Sequence, residues 1–177
     1  MDEFQSYEPV FAVYPTWSGF GWVLFDKPDA VVEWGLASAR QGRKLRLVNR
    51  FKRLIERHRA AVLVMEEAGD GTRRAERIRN LCREFARAAS GAEMKTAVYR
   101  REAVSAHLGL PPRASRYDVA KAVALRLNEF AHRLPRKATA GASEDPRQSL
   151  FSAAALALTY FADHDLPLPS VHPGAPE

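Results

Sequence analysis

Two adjacent carboxylates, Glu66 and Glu67, close the apolar run Val62-Leu63-Val64-Met65 and stand in front of the turn Gly69-Asp70-Gly71. Open α/β sheets place their sites outside the carboxyl ends of strands, and an acid there can hold a divalent cation or exchange a proton. Side chains alternate along a strand, so only one of the pair faces a given side. A merely polar strand end is the plain alternative. The second feature with chemical potential is cationic. Arg43, Lys44, Arg46, Arg50, Lys52, Arg53, Arg57 and Arg59 lie on or beside one helical stretch, and Arg73, Arg74, Arg77, Arg79, Arg83 and Arg87 on or beside another. The forked donors of arginine suit phosphate better than a lysine ammonium does. A solvated helix face would give the same pattern.

The usual catalytic signatures are missing. There is no GxxxxGK[ST] phosphate loop, and Ser18-Gly19-Phe20-Gly21 is too short for a dinucleotide fingerprint. The histidines show no HExxH spacing, and His58 and His132 fall near helix ends, where an imidazolium suits the helix dipole. Gly69-Asp70-Gly71 lacks the companion carboxylates of a calcium loop and reads as a turn. The lone Cys82 excludes an intramolecular disulfide and a cysteine-rich zinc site.

These residues need a scaffold, and the chain is long enough to supply one. Its 177 residues fit one domain, and the 46% hydrophobic content supports a core without disulfide or metal staples. No run of 18 apolar residues suggests a membrane span. The acidic start MDEFQSYEP lacks the features of a signal peptide, so a cytoplasmic location is expected. The 27 basic residues outnumber 21 acidic ones, giving a net charge of +6, which fits a polyanionic partner and fits plain solubility equally.

Short apolar runs at 10–13, 20–25 and 30–37 read as three strands, separated by Ser18-Gly19 and by the turn Asp26-Lys27-Pro28-Asp29. From Arg43 to Arg59 the spacing of Leu47, Val48, Phe51, Leu54 and Ile55 becomes helical. A strand over 61–65, a helix over 74–89 and a strand over 95–99 follow. Helices are then predicted over 101–108, 117–134 and from Pro146 to Ala162. A meander followed by strand–helix alternation implies an α/β fold, one mixed sheet with helices on its faces. The expected boundaries are an extension over 1–9, a domain over 10–162 and a Pro-rich, flexible tail over 163–177.

Val10-Phe11-Ala12-Val13-Tyr14-Pro15-Thr16 followed by Gly21-Trp22-Val23-Leu24 resembles the first hairpin of RuvC-type Holliday junction resolvases, of the ribonuclease H-like superfamily. Val62 to Glu67 is similar to their fourth strand, Thr96 to Tyr99 with Val104 and 109–119 to their fifth strand and next helix, and Ser149 to Tyr160 to their last helix. The resemblance implies a ribonuclease H-like mixed sheet, an antiparallel three-strand meander plus parallel strands. It also implies four carboxylates around two Mg²⁺ ions about 3.5–4 Å apart. Carried over by position, those acids correspond to Tyr14, Glu66, Ser149 and Ser152, and only Glu66 is an acid. Asp145, one turn before Ser149, could substitute, although its place before Pro146 also suits a helix cap; Glu144, Glu67 and Asp70 are nearby acids.

Charge and resemblance together imply a nucleic-acid-binding protein, with DNA or branched DNA as the partner, that lacks two-metal nuclease activity and serves as an accessory or architectural factor. The expected contacts are Trp17 (stacking, or else core packing), Arg73, Arg74, Arg77, Arg100, Arg101, Arg116 and Lys121. No cofactor is expected. A nuclease with relocated carboxylates is the alternative, and would use Mg²⁺ or Mn²⁺ at Glu66 and Asp145. A protein-interaction subunit is a third reading. The resolvase resemblance also makes a homodimer plausible.

Overall fold

The computed structural model describes residues 7–39, 44–69, 71–141 and 143–171. Five strands, β1 (Val10–Pro15), β2 (Gly19–Lys27), β3 (Ala30–Ser38), β4 (Val62–Glu66) and β5 (Lys95–Tyr99), form one sheet in the order β3-β2-β1-β4-β5. The first three make the antiparallel meander, and β4 and β5 add to β1 in parallel. The helices are α1 (Lys44–His58), α2 (Arg73–Gly91), α3 (Arg101–His107), α4 (Arg116–Ala124), α5 (Asn128–Ala131) and α6 (Arg147–Asp163). The turn between β2 and β3 is tighter than the expected four residues. It shrinks to Pro28-Asp29 because Lys27 pairs with Ala30.

Alternation along the strands sends two apolar sets to opposite faces. Phe11, Val13, Leu63 and Met65 pack with Phe51 and Phe85 of α1 and α2. Val10, Ala12, Tyr14, Val62 and Val64 face α6 and α4. Because β4 is covered on both sides, it reads as a continuous apolar run rather than an alternating one. Its last residue, Glu66, continues the phase of Val62 and Val64 and therefore shares Tyr14's face.

Helix α6 lies against this face through Ala153, Ala154, Ala155 and Ala157, all fully buried. Its first turn comes so close to β2 that a Cβ on Gly21 would fall within 3.0 Å of the Ser149 backbone. Gly21 is paired with Tyr14, so this contact brings the start of α6 to the Tyr14 end of β1.

The helix expected over 117–134 breaks after Ala124. Arg126 turns back, donating from Nη1 to the Ala122 carbonyl at 3.1 Å and from Nη2 toward the Leu108 carbonyl at 3.5 Å. A short turn, α5, then places Phe130 against Trp34 and Phe151. Beyond α6, Leu166 and Leu168 pack on the α6-side core. Among the described residues, no helix is long and apolar enough to cross a membrane. Arg43 and Asp70, both named as candidates from sequence, lie outside the described residues.

Candidate nucleic-acid interface

At the C-terminal ends of β1 and β4, Tyr14, Glu66, Arg101, Arg116 and Ser152 line one small cavity. Two larger clefts flank it and share Tyr14, Arg74 and Arg116. One, of about 190 Å³, holds Glu66, Glu67, Thr72 and Cys82. The other, of about 460 Å³, holds Trp17, Glu144, Asp145, Gln148 and Ser149.

Arg116 is the centre of this arrangement, and local chemistry fixes where it sits. Ser115 and Asp118 form a reciprocal capping box that starts α4 at Arg116. The buried Gln148 of α6 donates Nε2 to the Arg116 carbonyl at 2.9 Å. From this held backbone the guanidinium reaches over the Tyr14 ring, 5.6 Å from its centroid, a cation–π geometry. Its Nη1 also donates to both Glu144 oxygens, at 2.6 and 2.8 Å. Arg101 is pinned by its own bond from Nη2 to the Ala114 carbonyl, 3.1 Å.

Burial pushes the Tyr14 phenol up to about 12, reinforced by the negative charge of Glu66, so it is neutral at physiological pH. Burial likewise raises Glu66 above the usual carboxylate range, against the opposing pull of Arg116 and Arg101. Among the described residues no cation approaches the Glu66 carboxylate within ion-pair distance. Cys82, in the same cleft, has its thiol pushed up to about 11 by burial and by Glu66, which leaves it protonated at neutral pH.

The other acids are committed elsewhere. Glu67 follows the end of β4 and lines a cleft with Glu66, and it accepts from Arg100 Nε at 2.8 Å. Asp145 accepts the Arg147 amide at 3.0 Å and pairs with its guanidinium at 2.6 Å, so it caps α6, and it lines no cleft in common with Glu66. Arginine holds the Asp145 carboxyl down at about 2. Ser149 Oγ donates to the Pro146 carbonyl at 2.8 Å. Among the described residues no three His, Cys, Asp or Glu side chains gather as a metal-binding group.

The candidate contact residues divide. Arg74, Arg101 and Arg116 line the clefts, while Arg100 is paired on their rim. Trp17 is 47% exposed rather than packed in the core, with Arg77 stacked 4.4 Å from its ring. Arg77 Nη2 is enclosed without a hydrogen-bond acceptor among the described residues. Arg73 lies with Arg77 and Lys44 in the next groove, between α1 and α2. Lys121 is turned to Asp118 and Tyr117 and lines none of these clefts. Sequence reasoning missed Glu144 as the partner of Arg116 and Gln148 as its backbone support. Both arrive through a loop and helix far along the chain, a closure that carries no local signal.

No family model matches the sequence, and no curated protein matches it significantly. Solved structures do match. RuvC of Thermus thermophilus in complex with a Holliday junction superposes with a TM-score of 0.67 at 19% identity, covering 93% of this chain and 100% of that one. A second Thermus thermophilus RuvC structure gives 0.61 at 20% identity, over 92% and 99%. The fowlpox virus resolvase, solved with Holliday junction DNA, gives 0.54 at 12% identity, over 87% and 99%. With the mixed sheet, its strand order and the place of α6, these similarities establish that the chain has the ribonuclease H-like α/β fold of the RuvC-type resolvases.

Proposed function

We propose that this chain binds DNA, branched DNA included, through the clefts around Arg116, and that it acts as an accessory or architectural factor without two-metal nuclease chemistry. One observation carries the reading. At the strand ends where a two-cation centre would need converging carboxylates, Glu66 is joined by a neutral phenol, a serine and the guanidinium of Arg116. That donor set does not fit two divalent cations, because it offers one carboxylate where two such ions need several, and uncharged hydroxyls supply none of the missing negative charge. It does fit a phosphodiester, which arginine binds directly. Arg101 in the same cavity, Arg74 in both flanking clefts and the exposed Trp17 extend the surface along a strand of nucleic acid. The DNA-bound states of the RuvC and fowlpox resolvase structures support the choice of DNA.

The nuclease reading keeps one supporting fact, the Glu66 carboxylate that faces the cavity without a close cation. A single experiment separates the readings. Labelled four-way junction, duplex and single strands are incubated with the protein in Mg²⁺ or Mn²⁺, beside Glu66→Gln, and run on native and denaturing gels. Salt-sensitive binding without cuts is expected. Metal-dependent cuts that vanish in Glu66→Gln would instead establish a nuclease. Neither binding nor cutting would leave the protein-interaction subunit as the better reading.

A further inference from the structure

The two Glu144 oxygens on one nitrogen of Arg116 make the contact that a phosphate would make there. Both side chains remain open to solvent, with 39% of Arg116 and 36% of Glu144 exposed, so an incoming anion can reach the pair. Among the described residues, the Glu144 carboxylate has no hydrogen-bond or ion-pair partner beyond Arg116. The backbone beside it is held by its neighbour, since Asp145 accepts from the amides of Arg136 and Arg147 and from the Arg147 side chain. The Glu144 side chain can therefore leave by rotamer change while the start of α6 stays in place. The same cleft offers Arg74 and Trp17 beside Arg116.

We propose that Glu144 is a built-in competitor for the phosphate position on Arg116, so that the free protein carries a self-occupied anion site which a phosphodiester must fill by exchange. The inference rests on the DNA-binding reading above and deepens it. Exchange sets a selectivity rule. A lone phosphate gains on Arg116 only what Glu144 gives up, and is held weakly. A polynucleotide adds contacts to Arg74 and stacking on Trp17, and so displaces the carboxylate. Removing Glu144 then raises affinity for DNA, and the gain depends on Arg116.

The test is fluorescence anisotropy with a labelled single-stranded DNA, over a salt series, for wild type, Glu144→Gln, Arg116→Gln and the double variant. Glu129→Gln, an exposed acid that lines neither cleft, controls for net charge. Glu144→Gln is expected to bind about tenfold tighter, with a steeper salt dependence, because one more cation becomes available to phosphate. Glu129→Gln should stay within about twofold, its charge being screened. In the Arg116→Gln background Glu144→Gln should have no effect. A Glu144→Gln protein that binds no tighter than Glu129→Gln, while wild type binds, overturns the competitor and leaves the DNA reading standing. If neither wild type nor Glu144→Gln binds, both fall together. A Glu144→Gln protein that fails to fold also overturns the inference, since a displaceable side chain cannot be essential to the fold.

Discussion

Gly21 on β2 lies directly under the Ser149 backbone at the start of α6, with no room between them for a methyl group. The pair sets how near the helix comes to Tyr14, and hence the width of the cavity that also holds Glu66 and Arg116. Gly21→Ala would push a Cβ into backbone atoms, which cannot yield as a flexible side chain does. Overpacking of this kind costs about 3 kcal/mol. At this chain length that lowers the melting temperature by about 6–12 °C. A variant melting within 2 °C of wild type, about the shift from 1 kcal/mol, would mean that α6 sits farther from the sheet.

Glu66 should make the folded protein less stable at neutral pH. Its pKa is raised by burial, so the native state holds the proton more tightly than the unfolded chain. For such a group the stabilising contribution is complete below the unfolded value of 4.5 and is lost as pH rises through the folded value. Glu66→Gln, which stays neutral, should therefore melt higher than wild type at pH 7, and the two should converge below pH 4.5. A lower melting temperature at pH 7 would show that the carboxylate is stabilised by contacts other than Arg116 and Arg101.

Strand and helix positions were largely legible in the sequence because each covered face leaves its own period. The continuous Val62–Met65 run marks a strand buried on both sides, and Leu47, Val48, Phe51, Leu54 and Ile55 mark one buried stripe of α1. The predicted helix over 117–134 failed for a related reason. Val123, Leu127 and Phe130 keep helical spacing across the break, and no glycine or proline marks the end of α4 at Ala124, past which the Arg126 side chain bonds to the Ala122 and Leu108 carbonyls. The family resemblance matched Tyr14, Glu66, Ser149 and Ser152 to converging acid positions; Tyr14, Glu66 and Ser152 line one cavity, while Ser149 lines the adjoining cleft. The Arg116–Glu144 contact was not legible, since 28 residues separate the partners and neither sits in a recognisable pattern.

Trp17 should matter for binding and little for stability. It is half exposed, its ring faced by Arg77 rather than by core residues. Trp17→Ala is expected to weaken binding of single strands and open junctions about tenfold, the scale of one base–aromatic stack. Its melting temperature should stay within about 3 °C of wild type, as for an exposed substitution. Equal affinity for every DNA form would remove Trp17 from the interface.

Asp145 should contribute stability with an acidic signature. Its carboxyl is held at about 2 by the Arg147 guanidinium, below the ordinary value of 3.8. A depressed carboxyl contributes fully above its unfolded pKa and loses the contribution as pH falls through the folded one. The melting-temperature gap between wild type and Asp145→Asn should thus be constant above pH 4 and close between about pH 4 and pH 2. A gap independent of pH over that range would mean that Asp145 acts only through its capping bond to the Arg147 amide.

The correspondence of Tyr14, Ser149 and Ser152 with acidic positions can be tested by installing the acids. In Tyr14→Asp/Ser149→Asp/Ser152→Asp, three new carboxylates join Glu66, and their mutual repulsion should lower the melting temperature in chelator. Tyr14 and Ser152 line the Glu66 cavity and Ser149 lines the adjoining cleft that shares Tyr14, so if the new carboxylates reach one centre, Mn²⁺ should relieve that repulsion by binding. At a hundredfold excess over Kd the ligand adds about 2.7 kcal/mol. That corresponds to a rise of about 5–11 °C. Wild type, with its guanidinium in the cavity, should show no such rise, and adding Arg116→Gln to the triple variant should enlarge it by removing a fixed cation. A triple variant indifferent to Mn²⁺ with and without Arg116→Gln would separate these three residues from any metal-binding geometry, and would leave Arg116 as an anion site with no metal site behind it.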